Sequence, residues 1–308
     1  MTFDELKDRL RLPVVAAPMF LVSGPDLVIA AGQAGVLGAV PSVNARTPEE
    51  LQGWLERIAG TLEDRPFAIN LIVQSVGASR YESDLALIEA MRPPVVITSV
   101  GSPAAAAARI HEYGGLVFHD VTTLRHAKKA IEAGVDALIL VTAGAGGHTG
   151  YANPFAFVSQ VRDFWDGPIV LGGGISDGQG VAAARALGAD LVYMGTRFAA
   201  TQESLASDQY KALLVSETMA DVFTTDRISG LSANFLRGSI AGAGLDPEAL
   251  PERLGVFKPN LPEQLKAWRD IWSGGHGVGT IVDVPPVAEL VERLAAAYDA
   301  ALTRMKTL

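Results

Sequence analysis

Short apolar runs alternate along this chain with longer stretches in which apolar residues recur every three or four positions. The runs at 14–19, 37–43, 67–73, 95–100, 116–121, 137–142, 168–174 and 191–198 are rich in Val, Ile and Leu and read as strands. Helical periodicity fills 24–35, 47–60, 81–92, 102–114, 123–134, 153–165 and 176–188. The second of these opens on Thr47-Pro48-Glu49-Glu50, a cap, a proline at the first helical position and early acids. Several of the helices stop at glycine, as expected where the chain turns with positive φ. The strands are apolar almost throughout, which suits a parallel sheet covered on both faces.

Eight βα units within roughly 200 residues predict a closed α/β fold, a (β/α)8 TIM barrel. A doubly wound open sheet competes with it, but no G-x-G-x-x-G opens a helix after the first strand. The pattern breaks after Phe198. Residues 205–272 carry scattered Gly and Pro and no clear βα unit, and are expected to be a small, mostly helical insertion after strand eight that covers the barrel mouth. An amphipathic helix at 287–305 is expected to close the ring, so the barrel comprises residues 1–204 and 273–308.

Composition narrows the function. In 308 residues about half are apolar and the net charge is −9, which argues against a nucleic-acid surface. The N-terminus lacks a signal-type apolar core, and no run reaches the ~18 apolar residues of a membrane span. A soluble, cytoplasmic protein is expected, with a homo-oligomer compatible. The chain contains no cysteine, which removes disulfides, thiolate metal sites and cysteine nucleophiles.

In such barrels chemistry sits at the C-terminal strand ends. Here those ends carry Pro18-Met19, Asn70, Ser99, His119-Asp120, Thr142 leading to His148, Gly172–Gly174 and Gly195-Thr196. No lysine stands there for a Schiff base, no carboxylate pair for glycoside hydrolysis, and no His/Asp/Glu set with metal-ligand spacing. A mouth of glycines, small polar groups and histidines fits a cofactor that brings its own chemistry. Glycines at Gly172-Gly173-Gly174 and Gly195, with the Thr196 hydroxyl, lie after strands seven and eight, where barrels commonly hold phosphate; the same glycines would also serve tight βα turns. Gly144-Ala145-Gly146-Gly147-His148-Thr149-Gly150 follows strand six and can lie against a flat ring while presenting one imidazole, a suitable base near neutral pH. A flexible loop with an incidental histidine is the lesser reading. His119 suits packing or capping as well as chemistry, His111 and His126 fall within helices, and His276 sits in a further glycine-rich loop.

Ala17-Pro18-Met19, Asn70 within Phe-Ala-Ile-Asn-Leu, Ala145 through Gly150, Gly172 through Gly178 and Met194-Gly195-Thr196-Arg197-Phe198 together resemble the nitronate monooxygenase (2-nitropropane dioxygenase) family. Their order covers residues 12–201, and 272–284 looks like the family's closing segment. The resemblance implies FMN held at the barrel mouth. Ala17, Pro18, Met19 and Asn70 would touch the ring or ribityl region, with Ala145, Gly146 and Gly147 against the cofactor. Gly172, Gly173, Gly174, Gly195 and Thr196 would hold its phosphate, and His148 would be the catalytic base or a donor to substrate. The chain departs from the family at Gly144, often glutamate, at His276, often glutamine, and at Asp120, often lysine.

The implied reaction is oxidation of an alkyl nitronate with O2 to a carbonyl compound and nitrite. NAD(P)H-dependent reduction of a quinone or enoyl thioester on the same barrel is the alternative. A barrel that binds a phosphorylated ligand without redox chemistry is the non-enzymatic one. An inosine-monophosphate-dehydrogenase-type reaction shares the glycine loop but needs a cysteine.

Overall fold

The computed structural model describes residues 1–75 and 79–307. Eight parallel strands form a closed barrel: β1 (Val14–Ala16), β2 (Leu37–Pro41), β3 (Phe67–Ile72), β4 (Val95–Ser99), β5 (Leu116–Val121), β6 (Ala137–Val141), β7 (Ile169–Gly172) and β8 (Leu191–Met194). Each pairs with the next, and β8 returns to β1 with Val15 beside Tyr193. This is the (β/α)8 barrel expected from the periodicity.

Neighbouring side chains in a strand face opposite ways, and here both ways are apolar. One set, including Val14, Ile69, Val96, Val117 and Leu138, packs outward against the helices. The alternate set, including Val15, Ala68, Ile97, Phe118, Ile139 and Leu191, fills the barrel interior. The helix Phe3–Asp8 plugs the N-terminal end. A Thr2/Glu5 capping box starts it, Leu6 is buried under the barrel, and the Phe3 ring lies 5.9 Å from Phe118. The opposite end stays available as the mouth.

Caps follow the sequence signals: Thr47 accepts from the Glu50 N–H ahead of Pro48–Leu62, and Asn153 caps Pro154–Arg162. The last helix, Val287–Met305, packs between Pro25–Ala34 and Gly178–Leu187, where a final barrel helix is due. No helix among the described residues is long and apolar enough to cross a membrane.

Residues 205–272 differ from the mostly helical expectation. They carry helices Asp208–Ser216 and Arg237–Gly242, but also an antiparallel pair, Val222–Thr225 with Ala233–Leu236. These two strands, VFTT and ANFL, lack the unbroken apolar runs that mark the strands of the barrel. They are held by an apolar cluster of Ile228, Phe235, Ile240, Leu250 and Ile271, and by pairing Ala233–Leu236 with the two-residue strand Gly147–His148 of the mouth. The insertion is therefore joined to the barrel by a sheet.

Candidate functional site

The loops after β6, β7 and β8 converge with a fourth segment, Gly274 through Gly277. The Gly144 carbonyl accepts from the Gly174 N–H at 3.2 Å and from the His276 N–H at 2.9 Å. The Gly275 N–H donates to Thr196 Oγ1 at 2.9 Å, leaving the hydroxyl proton of Thr196 free to donate elsewhere. At Gly146 a Cβ would fall 2.9 Å from Thr196 Oγ1 and 3.0 Å from the Gly275 nitrogen, so glycine leaves room for this donor and its acceptor to meet. Gly173 and Gly174 both adopt positive φ, 131° and 70°, which bends the chain off β7. Thr142 donates to the Gly172 carbonyl at 2.8 Å and ties the ends of β6 and β7 together. The result is a cradle of backbone and hydroxyl groups with few Cβ atoms in the way.

Met19 closes the ring from β1. A Cβ on Gly195 would sit 3.6 Å from Met19 Sδ and 3.9 Å from Ala17 Cβ, so these residues share one edge. Asn44 fixes the Met19 backbone by donating to its carbonyl, and Ser23 accepts from its N–H. Pro18, half-buried, connects the two.

Strand parity places Asn70, Ser99, Asp120, Gly172 and Tyr193 on the interior face, one step mouthward of Ala68, Ile97, Phe118, Val170 and Leu191. They form a polar rim on an apolar interior. Asn70 Nδ2 donates to the Ile97 carbonyl at 3.0 Å and to Ser99 Oγ at 2.7 Å. Ser99 in turn donates to Asp120 Oδ2 at 2.6 Å. Asp120 Oδ1 is shut off from solvent without a hydrogen-bond partner, and burial pushes the carboxyl pKa up to about 6. His119, one residue earlier, points the other way: it is buried, bonded to Thr98 Oγ1 at 2.8 Å, and held neutral by burial, with a pKa of about 4. It is a packed histidine.

His148 stands on the rim at the end of the two-residue strand, in register with Ala233. Asn234 Nδ2 donates to the Ala145 carbonyl at 2.8 Å, and Thr149 Oγ1 donates to the Thr142 carbonyl at 3.0 Å, so the loop is anchored on both sides of the imidazole. The ring keeps a face open to solvent, while Trp268 and Phe257 stand edge-on to it at 5.2 and 6.4 Å. Crowding by protein strips water from the ring and lowers its pKa below the ordinary histidine value. Trp268 is itself stacked on Phe235, and both Trp268 and Phe257 hold positive φ, 71° and 56°. Neither would be singled out by periodicity. Tyr193 was discoverable from its parity with Gly195.

His276 reaches the cradle: its imidazole fills the space that a side chain at Gly144 would need, with Nδ1 2.8 Å from an added Cβ. Among the described residues no cluster of His, Asp and Glu is arranged to hold a metal ion. An open groove of about 770 Å³ lies on the insertion, lined by Thr224, Arg227, Ser232 and Arg253 among others, and includes none of the mouth residues above. Its arginines are paired with Glu252 and Asp226, so it offers no net positive charge.

Comparison with known proteins agrees with this architecture. The chain is 33% identical to a (3aS,4S,5R,7aS)-5-hydroxy-7a-methyl-1-oxo-octahydro-1H-indene-4-carboxyl-CoA dehydrogenase of Rhodococcus jostii, over 75% of this chain and 64% of that protein's length. It is 28% identical to a nitronate monooxygenase of Paraburkholderia phytofirmans, over 92% and 91% of the two chains. The solved nitroalkane oxidase from Streptomyces ansochromogenes superposes with a TM-score of 0.83 at 28% identity, covering 97% of this chain and 99% of that one. The family model for nitronate monooxygenase matches residues 5–297. With that extent of match and this glycine-lined mouth, the chain belongs to the nitronate monooxygenase family of oxidoreductases.

Proposed function

We propose that this protein is an FMN-dependent monooxygenase that oxidises alkyl nitronates with O2 to carbonyl compounds and nitrite. The observation that carries the reading is an imidazole, His148, fixed on the same rim as a glycine cradle. The cradle fits a flavin phosphate: Gly172, Gly173, Gly174 and Gly195 bring no side chain to it, and Thr196 retains a hydroxyl donor at the start of the turn Thr196–Ala199. Ala145, Gly146 and Gly147 would lie against the ring system, and Ala17, Pro18, Met19 and Asn70 would border it on the facing strands. FMN supplies the electron acceptor and the oxygen chemistry when bound.

The chain's own residues bind, orient and move protons. His148 in its neutral form takes the α-proton of a neutral nitroalkane; in its protonated form it hydrogen-bonds an anionic nitronate. Phe257 and Trp268 keep water from the flanks of that imidazole. The test is direct: the purified, yellow protein should consume O2 with a preformed nitronate and release nitrite and the matching carbonyl compound, and acid release of its cofactor should yield FMN rather than FAD. Absence of nitrite would overturn the reading.

A second reading is NAD(P)H-dependent reduction of a quinone or an enoyl thioester. The 33% identity to a carboxyl-CoA dehydrogenase favours its thioester substrate class.

A further inference from the structure

The inner rim holds a carboxyl group that the proposed reaction does not use. Three hydrogen-bonded side chains span adjacent strands: Asn70 of β3 donates to Ser99 of β4, and Ser99 donates to Asp120 of β5. All three share the interior face, at the mouth end. Because Ser99 already occupies Oδ2, a proton arriving on Asp120 would go to Oδ1, the oxygen that is buried and unpartnered. The groups around this carboxyl are few. Tyr193 faces it from β8, where the Asp120 charge adds to the burial that raises the phenol pKa. β6 places the uncharged Ile139 in register beside it, and His119 is turned to the opposite face. Among the described residues no lysine or arginine forms a salt bridge with Asp120, and burial alone raises its pKa, opposed by Ser99.

A carboxylate so placed tolerates its own charge poorly and an additional nearby charge worse. We infer that Asp120 is a redox-linked proton acceptor: it takes one proton from solvent onto Oδ1 when two electrons enter the flavin proposed to occupy the mouth. The inference rests on the flavin reading above. The balance is simple. Dithionite, as the added reductant, loses the two electrons and becomes sulfite, the flavin would gain them, and Asp120 changes no oxidation state but forms one O–H bond with a proton from the solvent. Reoxidation returns that proton. Asn70 and Ser99 act as positioning residues that hold Oδ2 as an acceptor, so Asp120 buffers charge at the mouth without leaving its place.

Proton counting tests this. The flavin-loaded protein is reduced anaerobically in weak buffer by a reductant of known proton balance, and proton uptake is read with a pH indicator. At about pH 7.5 the wild type should take up one more proton per flavin than Asp120→Asn; at about pH 5, where the carboxyl already carries its proton, the counts should match. Reduced-minus-oxidised infrared spectra should show a protonated-carboxyl C=O band that Asp120→Asn lacks. Should Asp120→Asn fail to fold, Ser99→Ala removes the donor to Oδ2 and raises the pKa of Asp120, so the uptake at about pH 7.5 should shrink relative to wild type. Equal counts at about pH 7.5 in a yellow Asp120→Asn protein overturn the inference and leave the flavin reading standing. A wild type that binds no flavin overturns both.

Discussion

His148 and Asp120 are both crowded by the surrounding protein, with opposite consequences. For the imidazole, loss of water favours the neutral form, so the base is ready at neutral pH and is lost only as pH falls through its lowered pKa. Turnover of a neutral nitroalkane should therefore decline on the acid side. His148→Asn should remove that limb and cut kcat/KM for the nitroalkane by about 10²–10⁴, with a smaller loss on the preformed nitronate; equal losses on both substrates would contradict the assignment as base. For Asp120 the folded pKa of about 6 lies above the ordinary value of 3.8. Its burial is harmless below about pH 4 and increasingly destabilising as pH rises through 6. Asp120→Asn apoprotein should thus melt higher than wild type at neutral pH, by up to about 3 kcal/mol of stability, with the gap closing near pH 4. Thermal melts at the two pH values read it. His148 was legible as a candidate from its loop, whereas its aromatic neighbours were not, because Phe257 and Trp268 lie in a segment without periodicity.

The eight strands were legible because a parallel barrel buries both faces and leaves unbroken apolar runs. That same property hid which face points inward. His119 and Asp120 are adjacent, yet one packs on Thr98 outside the interior and the other lines the mouth, and only closure of the barrel separates them. The antiparallel pair in the insertion escaped because its stability comes from Ile271 and the mouth strand, which are distant in sequence. Two departures from the family pattern, Gly144 and His276, prove to be one packing event, since the imidazole fills the place of a side chain at 144. The convergence of four loops carries its own prediction. Gly146→Ala must push Thr196 and Gly275 apart, at a cost of about 1–3 kcal/mol, and should weaken FMN retention roughly tenfold or more, measured by fluorescence of released flavin. Trp268→Ala should return water to His148 and move its pKa up toward 6.5, visible in an NMR titration of that imidazole. An unchanged titration would show that the aromatic wall does not tune the base.

For the molecule as a whole, the barrel, the closing helix and the insertion join four apolar bodies among the described residues: the interior, the helix layer, a cluster that packs Leu214 and Leu236 against Val22 and Ile281, and the small cluster around Phe235. The insertion meets the barrel through Ala233–Leu236 and Gly147–His148, so the proposed base sits on the seam between them. Family membership is shown; what delivers electrons to the proposed oxidoreductase is the central claim. Anaerobic mixing of the flavin-loaded protein with NADH, NADPH and a preformed alkyl nitronate, in separate reactions, tests that claim most directly. The account predicts that the nitronate bleaches the flavin absorbance and that neither nicotinamide does so at a comparable rate. Rapid bleaching by NADH or NADPH, with the nitronate inert, would contradict it.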